Sequence, residues 1–175
     1  MKRKIPDTIS EEELITILKK TKDNKKRAAY LYGFYEQLRI SEVVKLKRED
    51  IETTKNYIKI KQAKGGKDRQ IAIIKPLLLR KNEVKLASKY FPVGSTKAKD
   101  LGIRNLQIAF KRIAKKVLSK DLHFHCLRHS GASWLLNKKK WDIRHVQKQL
   151  GHSKIATTEI YTHVGGGDLV DLEWD

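Results

Sequence analysis

The sequence predicts a mainly α-helical domain with one small antiparallel sheet, an α+β fold. Apolar residues recur at helical spacing through most of the 175-residue chain. The period changes only between about Tyr57 and Ile74, and a glycine-centred turn divides that stretch in two. The length favours one domain, and 39% hydrophobic residues suffice for a core.

Ser10-Glu11-Glu12-Glu13 is a capping box, after which Leu14, Ile15, Ile17 and Leu18 form a helical apolar face. A second helix is expected from about Lys25 to Glu36, with Ala28, Ala29, Leu31, Tyr32 and Tyr35 as its apolar positions, and a short third from Ser41 to Leu46. Tyr57, Ile58 and Ile60 form one strand; Ile71, Ile73 and Ile74 form another. Lys64-Gly65-Gly66-Lys67-Asp68-Arg69 between them is a hairpin signal. Pro76 suits a first helical turn that continues from Leu77 to Ala87. Further helices are expected over Ile103–Leu118, with Leu106, Ala109, Phe110, Ile113 and Val117 inward, and over His125–Leu136 and Asp142–Leu150. Gly151 stops the last of these, a short helix from Lys154 carries Tyr161, and Gly165-Gly166-Gly167 breaks the chain before Leu169, Val170, Leu172 and Trp174.

Thirty-nine Lys and Arg against twenty Asp and Glu leave a formal net charge of +19. Such an excess attracts polyanions over long range, nucleic acid first and an anionic membrane surface next, and does not by itself separate an enzyme from a protein that merely neutralises nucleic acid. No apolar run approaches the roughly 20 residues needed to span a bilayer, so no membrane partner is expected. Cys126 is the only cysteine, which excludes an intrachain disulfide and fits a reducing compartment, here the cytoplasm.

The chemistry-bearing residues concentrate in three places. Arg39 stands at a helix start with Glu42 three residues on, His125 and Arg128 share a helical face, and His152 comes nine residues before Tyr161. Arginine suits a phosphate because its planar fork donates two parallel hydrogen bonds and keeps its charge. Two arginines and a histidine can hold both non-bridging oxygens of a phosphate in its pentacoordinate state. A tyrosine hydroxyl, with a reference pKa of about 10, attacks only where a base or a positive field favours phenolate. A lysine on the hairpin can protonate the leaving alkoxide, which completes phosphoryl transfer without a metal or cofactor.

Four segments taken in order, Leu38–Glu42, Lys64–Arg69, His125–Ser130 and Leu150–Ser153 with Thr157–Val164, resemble the catalytic motifs of tyrosine recombinases, the family of phage integrases and Xer-type enzymes. The resemblance runs from about Ile9 to Val164 and implies the integrase catalytic-domain fold over residues 1–164. It further implies that Arg39, Arg128 and His152 bind the scissile phosphate, with His125 as general base or hydrogen-bonding partner. Lys64 would protonate the departing 5′ oxygen, Glu42 would orient the first arginine or its neighbours, and Tyr161 would form a 3′-phosphotyrosyl link. Lys61, Lys67 and Arg69, on and beside the hairpin, are expected to contact DNA. Family members act as tetramers on two duplexes, so a homotetramer on DNA and a monomer or weak oligomer in its absence are expected. Residues 165–175 form a tail that either folds back onto its own domain or docks on a neighbouring copy, and docking is the expectation.

Two departures from the family pattern stand out. Gln37 occupies a place where the family often has glycine. About nine residues precede the first helix, so the family's separate N-terminal DNA-clamping domain is expected to be absent, with weaker and less selective binding.

Each residue also has a plainer reading. Arg39 and Glu42 are compatible with an ion pair on a solvated helix, Lys64 with a solvated turn in which Lys67 competes for its role, and His152 with a residue that simply follows a cap. His125 and Arg128 would then be surface residues over a core of Leu127, Trp134 and Leu135, and Tyr161 a buried aromatic. Order and spacing together favour the catalytic reading. His123, His125, Cys126 and His129 do not suggest zinc, because Cys126 turns about 100° per residue away from the His125–His129 face; Cys126 is expected to be a small buried hydrophobe, and His129 and His163 structural. Three functions are therefore weighed: a site-specific DNA recombinase, a silent DNA-binding module of the same fold, and a type IB topoisomerase-like relaxing enzyme.

Overall fold

The computed structural model describes residues 7–52, 54–61, 68–78 and 96–152, with 78 and 96–101 by backbone alone. Its elements in chain order are α1 (Glu11–Lys20), α2 (Asn24–Tyr35), α3 (Ile40–Lys45), a 3-10 turn (Arg48–Asp50), β1 (Ile51–Glu52), β2 (Tyr57–Ile60), β3 (Arg69–Ala72) and α4 (Lys75–Leu78). There follow α5 (Thr96–Leu118), α6 (His125–Asn137) and α7 (Ile143–Leu150). The mainly α fold with one antiparallel sheet is as the sequence predicts. Among the described residues no helix is long and apolar enough to cross a membrane.

Helix α1 starts at the expected capping box: Ser10 Oγ accepts from the Glu13 N–H, and the Glu13 carboxylate accepts from the Ser10 N–H. Leu14, Ile17 and Leu18 turn inward from it. Helix α2 is buried on every side from Ala28 to Tyr35, more completely than its periodicity implied, because it runs through the centre of the domain. Its rings form the aromatic core, with Tyr30 edge-on to Phe110 of α5 at 5.2 Å and Tyr35 edge-on to Trp134 of α6 at 5.5 Å. Helix α6 crosses α2 closely at Gly131, where a Cβ would stand 1.8 Å from the Phe34 carbonyl oxygen.

The sheet has the order β1-β2-β3, with Ile58 opposite Ile51 on one side and Ile71 on the other. Its details differ from expectation. Strand β1 was not foreseen, being only two residues long. Strand β3 begins at Arg69 and ends at Ala72, so Ile73 and Ile74 leave the ladder: the Ile73 N–H donates to the Asn56 carbonyl and that of Ile74 to Glu36. Helix α5 starts at Thr96, before the expected Ile103, and Leu106, Phe110 and Ala114 are its buried positions. Ala109, Ile113 and Val117, expected inward, are half-buried. Gly151 ends α7 in the left-handed conformation (φ 66°), as expected of a C-terminal stop. Most of the hairpin turn, the helix beyond Leu78, the helix expected from Lys154 and the tail after Gly165 lie outside the described residues.

Candidate active site

The site forms where the ends of α2 and α7 meet the starts of α3 and α6. Arg39 is the N-cap of α3 and Glu42 its third residue. The Glu42 carboxylate accepts from the Arg39 N–H (2.9 Å) and from Arg39 Nη1 (3.0 Å). It accepts twice more from Arg69 of β3, at 2.7 and 3.1 Å. Burial alone would raise the Glu42 carboxyl, but the Arg69 hydrogen bonds and charge, the Arg39 N–H and the Arg128 charge hold it below the usual range. The solvated-helix ion pair is thus excluded, since the Glu42 side chain is only 6% exposed.

Arg128 is 1% exposed. Its Nη1 donates to the Gln37 carbonyl at 2.5 Å, and its Nη2 donates to the Leu150 carbonyl at 2.7 Å. The same Nη2 lies 3.3 Å from His152 Nε2. The reading of Arg128 as a surface residue of α6 is therefore wrong: it reaches through the protein to two chain segments remote in sequence. Holding a guanidinium out of water is costly, so its two carbonyl partners fix where the cation sits.

Three imidazoles complete the cluster. His125, at the exposed start of α6, packs its ring edge-on against His129 at 4.5 Å. The protein packed on its inner side and the charges of Arg128 and Arg39 push its pKa down. His152 is lowered to about 4 by partial burial and by Arg128, Arg39, Arg69 and His125. His129 is also lowered to about 4, by burial, His125, Arg128 and His152. These histidines are neutral at pH 7, so His152 Nε2 accepts from Arg128. The structure thus brings together Arg39, Glu42, His125, Arg128 and His152, five residues singled out in the sequence.

Arg69 joins them from an unexpected direction. It was expected to face DNA, but its side chain is 14% exposed and turned inward on Glu42. It also lies over Gly151, where a Cβ would come within 2.9 Å of its Cδ. Lys61 is half-exposed and pairs with Asp50 Oδ1 at 2.6 Å. Lys64, Lys67 and Tyr161 lie outside the described residues. Cys126 is buried, as expected. Among the described residues no group of His, Cys, Asp or Glu side chains is arranged to hold a metal ion. Sequence reasoning missed Gln37 as a partner of Arg128, because the contact is made by a backbone carbonyl, which carries no signature of its own.

Two guanidinium groups, of Arg39 and Arg69, thus bond one carboxylate, and the charge of Arg128 acts on it from beside His152, with neutral imidazoles close by. The excess positive charge is preorganised and partly dehydrated, the condition under which an anion of fixed shape is held best.

Residues 7–166 match the Phage integrase family. A tyrosine recombinase of Thermosipho africanus is 31% identical over 176 residues, covering 98% of this chain and 62% of the relative. The tyrosine recombinase XerA of Pyrococcus furiosus is 36% identical over 169 residues, covering 91% of this chain and 58% of the relative. Among solved structures, the XerA recombinase superposes with a TM-score of 0.71 at 25% identity, covering 91% of this chain and 61% of that one. The XerH site-specific recombinase bound to its difH substrate before cleavage gives a TM-score of 0.69 at 26% identity, covering 91% of this chain and 51% of that one. The chain therefore spans about three fifths of the length of the curated relatives it matches.

Proposed function

The chain belongs to the phage integrase family, and on that premise we propose that residues 1–164 are the catalytic domain of a site-specific recombinase acting on double-stranded DNA. The reaction joins Tyr161 to DNA and then releases it. The Tyr161 oxygen attacks phosphorus, the bond from phosphorus to the 5′ oxygen breaks, and a 3′-phosphotyrosyl link forms. The phenol proton passes to a base, for which His125 is neutral at working pH. Lys64 gives a proton to the departing 5′ oxygen. Arg39, Arg128 and His152 hold the non-bridging oxygens while charge builds on them. Attack by a second DNA end on the link reverses these steps and reseals the strand.

The observation that carries this reading is that Arg39 and Arg69 meet on the Glu42 carboxylate while the charges of Arg39 and Arg128 both act on His152. The XerH recombinase is described bound to its difH substrate in pre- and post-cleavage complexes and the lambda integrase bound to DNA, which supports DNA as the partner here. Lys61 and Lys67 would contact the DNA backbone, and a tetramer on two duplexes in the cytoplasm, with residues 165–175 docked on a neighbouring copy, completes the proposal.

A suicide substrate nicked near the cleavage site tests it. Wild type should trap a covalent adduct whose attached nucleotide maps to Tyr161, and Tyr161→Phe should not. Absence of an adduct with wild type would favour the silent module. Plasmid relaxation without recombinant products would favour the topoisomerase-like enzyme.

A further inference from the structure

Glu36 ends α2 three residues before Arg39, and none of its side chain reaches solvent. A carboxyl group there has lost its hydration and depends on donors supplied by the protein. Two are in place. The Ile74 N–H donates to Oε1 at 2.8 Å, and Gln149 Nε2 donates to Oε2 at 3.3 Å.

Gln149 in turn binds Ala72 twice, accepting from its N–H at 3.2 Å and donating to its carbonyl at 3.0 Å. Ala72 belongs to β3, at one edge of the sheet, so the Gln149 amide supplies a rung on the side away from β2. One buried network therefore joins the end of α2, the edge of β3 and the end of α7.

A second tie runs alongside it. Arg128 grips the carbonyls of Gln37 and Leu150, the residues that directly follow Glu36 and Gln149 in the chain. The ends of α2 and α7 are thus joined twice by adjacent residues, and the Glu36–Gln149 tie takes in β3 as well. Strand β3 carries Arg69, which holds Glu42 and through it Arg39.

We propose that the buried Glu36–Gln149 pair is a positioning element, setting β3 with Arg69, Glu42 and Arg39 against α7 with Arg128 and His152 so that both halves meet one phosphate. It rests on the recombinase reading above. Neither residue touches substrate, since Gln149 is also buried. Burial pushes the Glu36 carboxyl up to about 8, beyond what its two hydrogen bonds offset, so near neutral pH it acts through shape and not through charge.

Glu36→Gln is the informative change. It keeps the volume, but whichever way the new amide turns, its NH2 meets a donor, either Ile74 N–H or Gln149 Nε2. Combining Glu36→Gln with Gln149→Glu restores a complementary set: the amide at 36 donates to the carboxyl at 149, which when protonated serves both groups of Ala72. Single-turnover cleavage of the suicide substrate by the full chain is measured with DNA affinity, melting temperature and hydrogen exchange. Glu36→Gln should slow adduct formation about tenfold or more, equivalent to about 1.4 kcal/mol in the barrier, while DNA affinity changes by less than about threefold. The double exchange should recover most of the rate and reprotect the Ala72 and Ile74 amides. Equal cleavage by Glu36→Gln and wild type overturns the proposal and leaves the recombinase reading standing. So does a loss that follows the fall in melting temperature and is not recovered by the exchange. Wild type that forms no adduct overturns the recombinase reading and this inference with it.

Discussion

Arg128 Nη1 donates to the carbonyl of Gln37 at 2.5 Å, between residues 91 positions apart. That carbonyl is presented because Gln37 adopts the left-handed conformation, with φ 48°, immediately after α2. The same turn sets Arg39 at the start of α3. One backbone torsion therefore helps to place both arginines of the proposed phosphate site.

Gln37→Gly should be close to neutral. A left-handed L-residue costs roughly 1–2 kcal/mol, which glycine avoids. Against this, the Gln37 side chain donates to the carbonyls of Phe34 and Tyr35, and a buried hydrogen bond contributes about 0.5–1.5 kcal/mol. Denaturant unfolding should show a change within about 1 kcal/mol, with cleavage preserved, because the carbonyl stays in place. Gln37→Val, a β-branched residue at the same torsion, should be clearly destabilised. Loss of cleavage by a stable Gln37→Gly variant would mean that the side chain, and not the turn, holds Arg128.

Gly131→Ala has an unusual sign. In an ordinary helix interior this change stabilises by up to about 1 kcal/mol. Here the added methyl would stand 1.8 Å from the Phe34 carbonyl oxygen and 2.8 Å from its carbon, both backbone atoms that cannot swing aside. Helix α6 must back away from α2, at the upper end of the ~1–3 kcal/mol typical of overpacking or beyond it. The displacement also stretches Arg128 away from Gln37. A lowered melting temperature together with slowed cleavage is expected; an unchanged or raised melting temperature would contradict the close crossing.

Glu42→Ala should leave two guanidinium groups facing each other. Removing one partner of a buried charge pair costs about 3–5 kcal/mol, and the lower end applies because Arg39 is 24% exposed. An added anion should partly replace the missing carboxylate. The melting temperature of Glu42→Ala should therefore rise more steeply with sulfate than that of wild type, at matched ionic strength. Equal sulfate responses would show that Arg39 and Arg69 do not converge on one space.

Helices α1 and α7 were legible in the sequence, their starts to within a residue, because local caps mark them. Ser10 and Glu13 cap α1, Asp142 caps α7, and Gly151 ends it. The cluster of Arg39, Glu42, His125, Arg128 and His152 was legible through residue type and order. What stayed hidden depends on tertiary contact. The two-residue β1 is too short for a period to register, and Ile73 and Ile74 read as strand although they bond to Asn56 and Glu36 instead of a strand. Arg69 looked like one more solvent-facing cation near a basic turn; only folding shows Glu42 opposite it. Glu36 carries no local sign that it will be sealed in, because a carboxylate at a helix end is ordinarily solvated.

Anion binding should take up protons. The depressed pKa values of His152 and His129, both about 4, reflect first their burial and then nearby cations. An anion placed among Arg39, Arg128 and His152 offsets that repulsion and lets His152 hold a proton more readily. Sulfate is the suitable probe, since its own charge is constant over the range. Its affinity, by calorimetry, should rise as pH falls from about 7 to 5, and binding at pH 6 should release heat that varies with the buffer's ionisation enthalpy. Stability without anion should move the opposite way. Each histidine has an unfolded value near 6.5 and a folded one near 4, so its contribution is present above 6.5 and is lost as pH falls through that interval. Glu36, raised from 4.5 to about 8, has the reverse slope: its contribution is present below 4.5 and lost as pH rises towards 8. The two overlap in mildly acid solution, so the difference between wild type and His152→Gln isolates the histidine. That variant should lose most of the pH dependence of sulfate affinity while keeping measurable binding through the arginines. An unchanged pH dependence in His152→Gln would place the linked proton elsewhere and remove His152 from the anion's immediate surroundings.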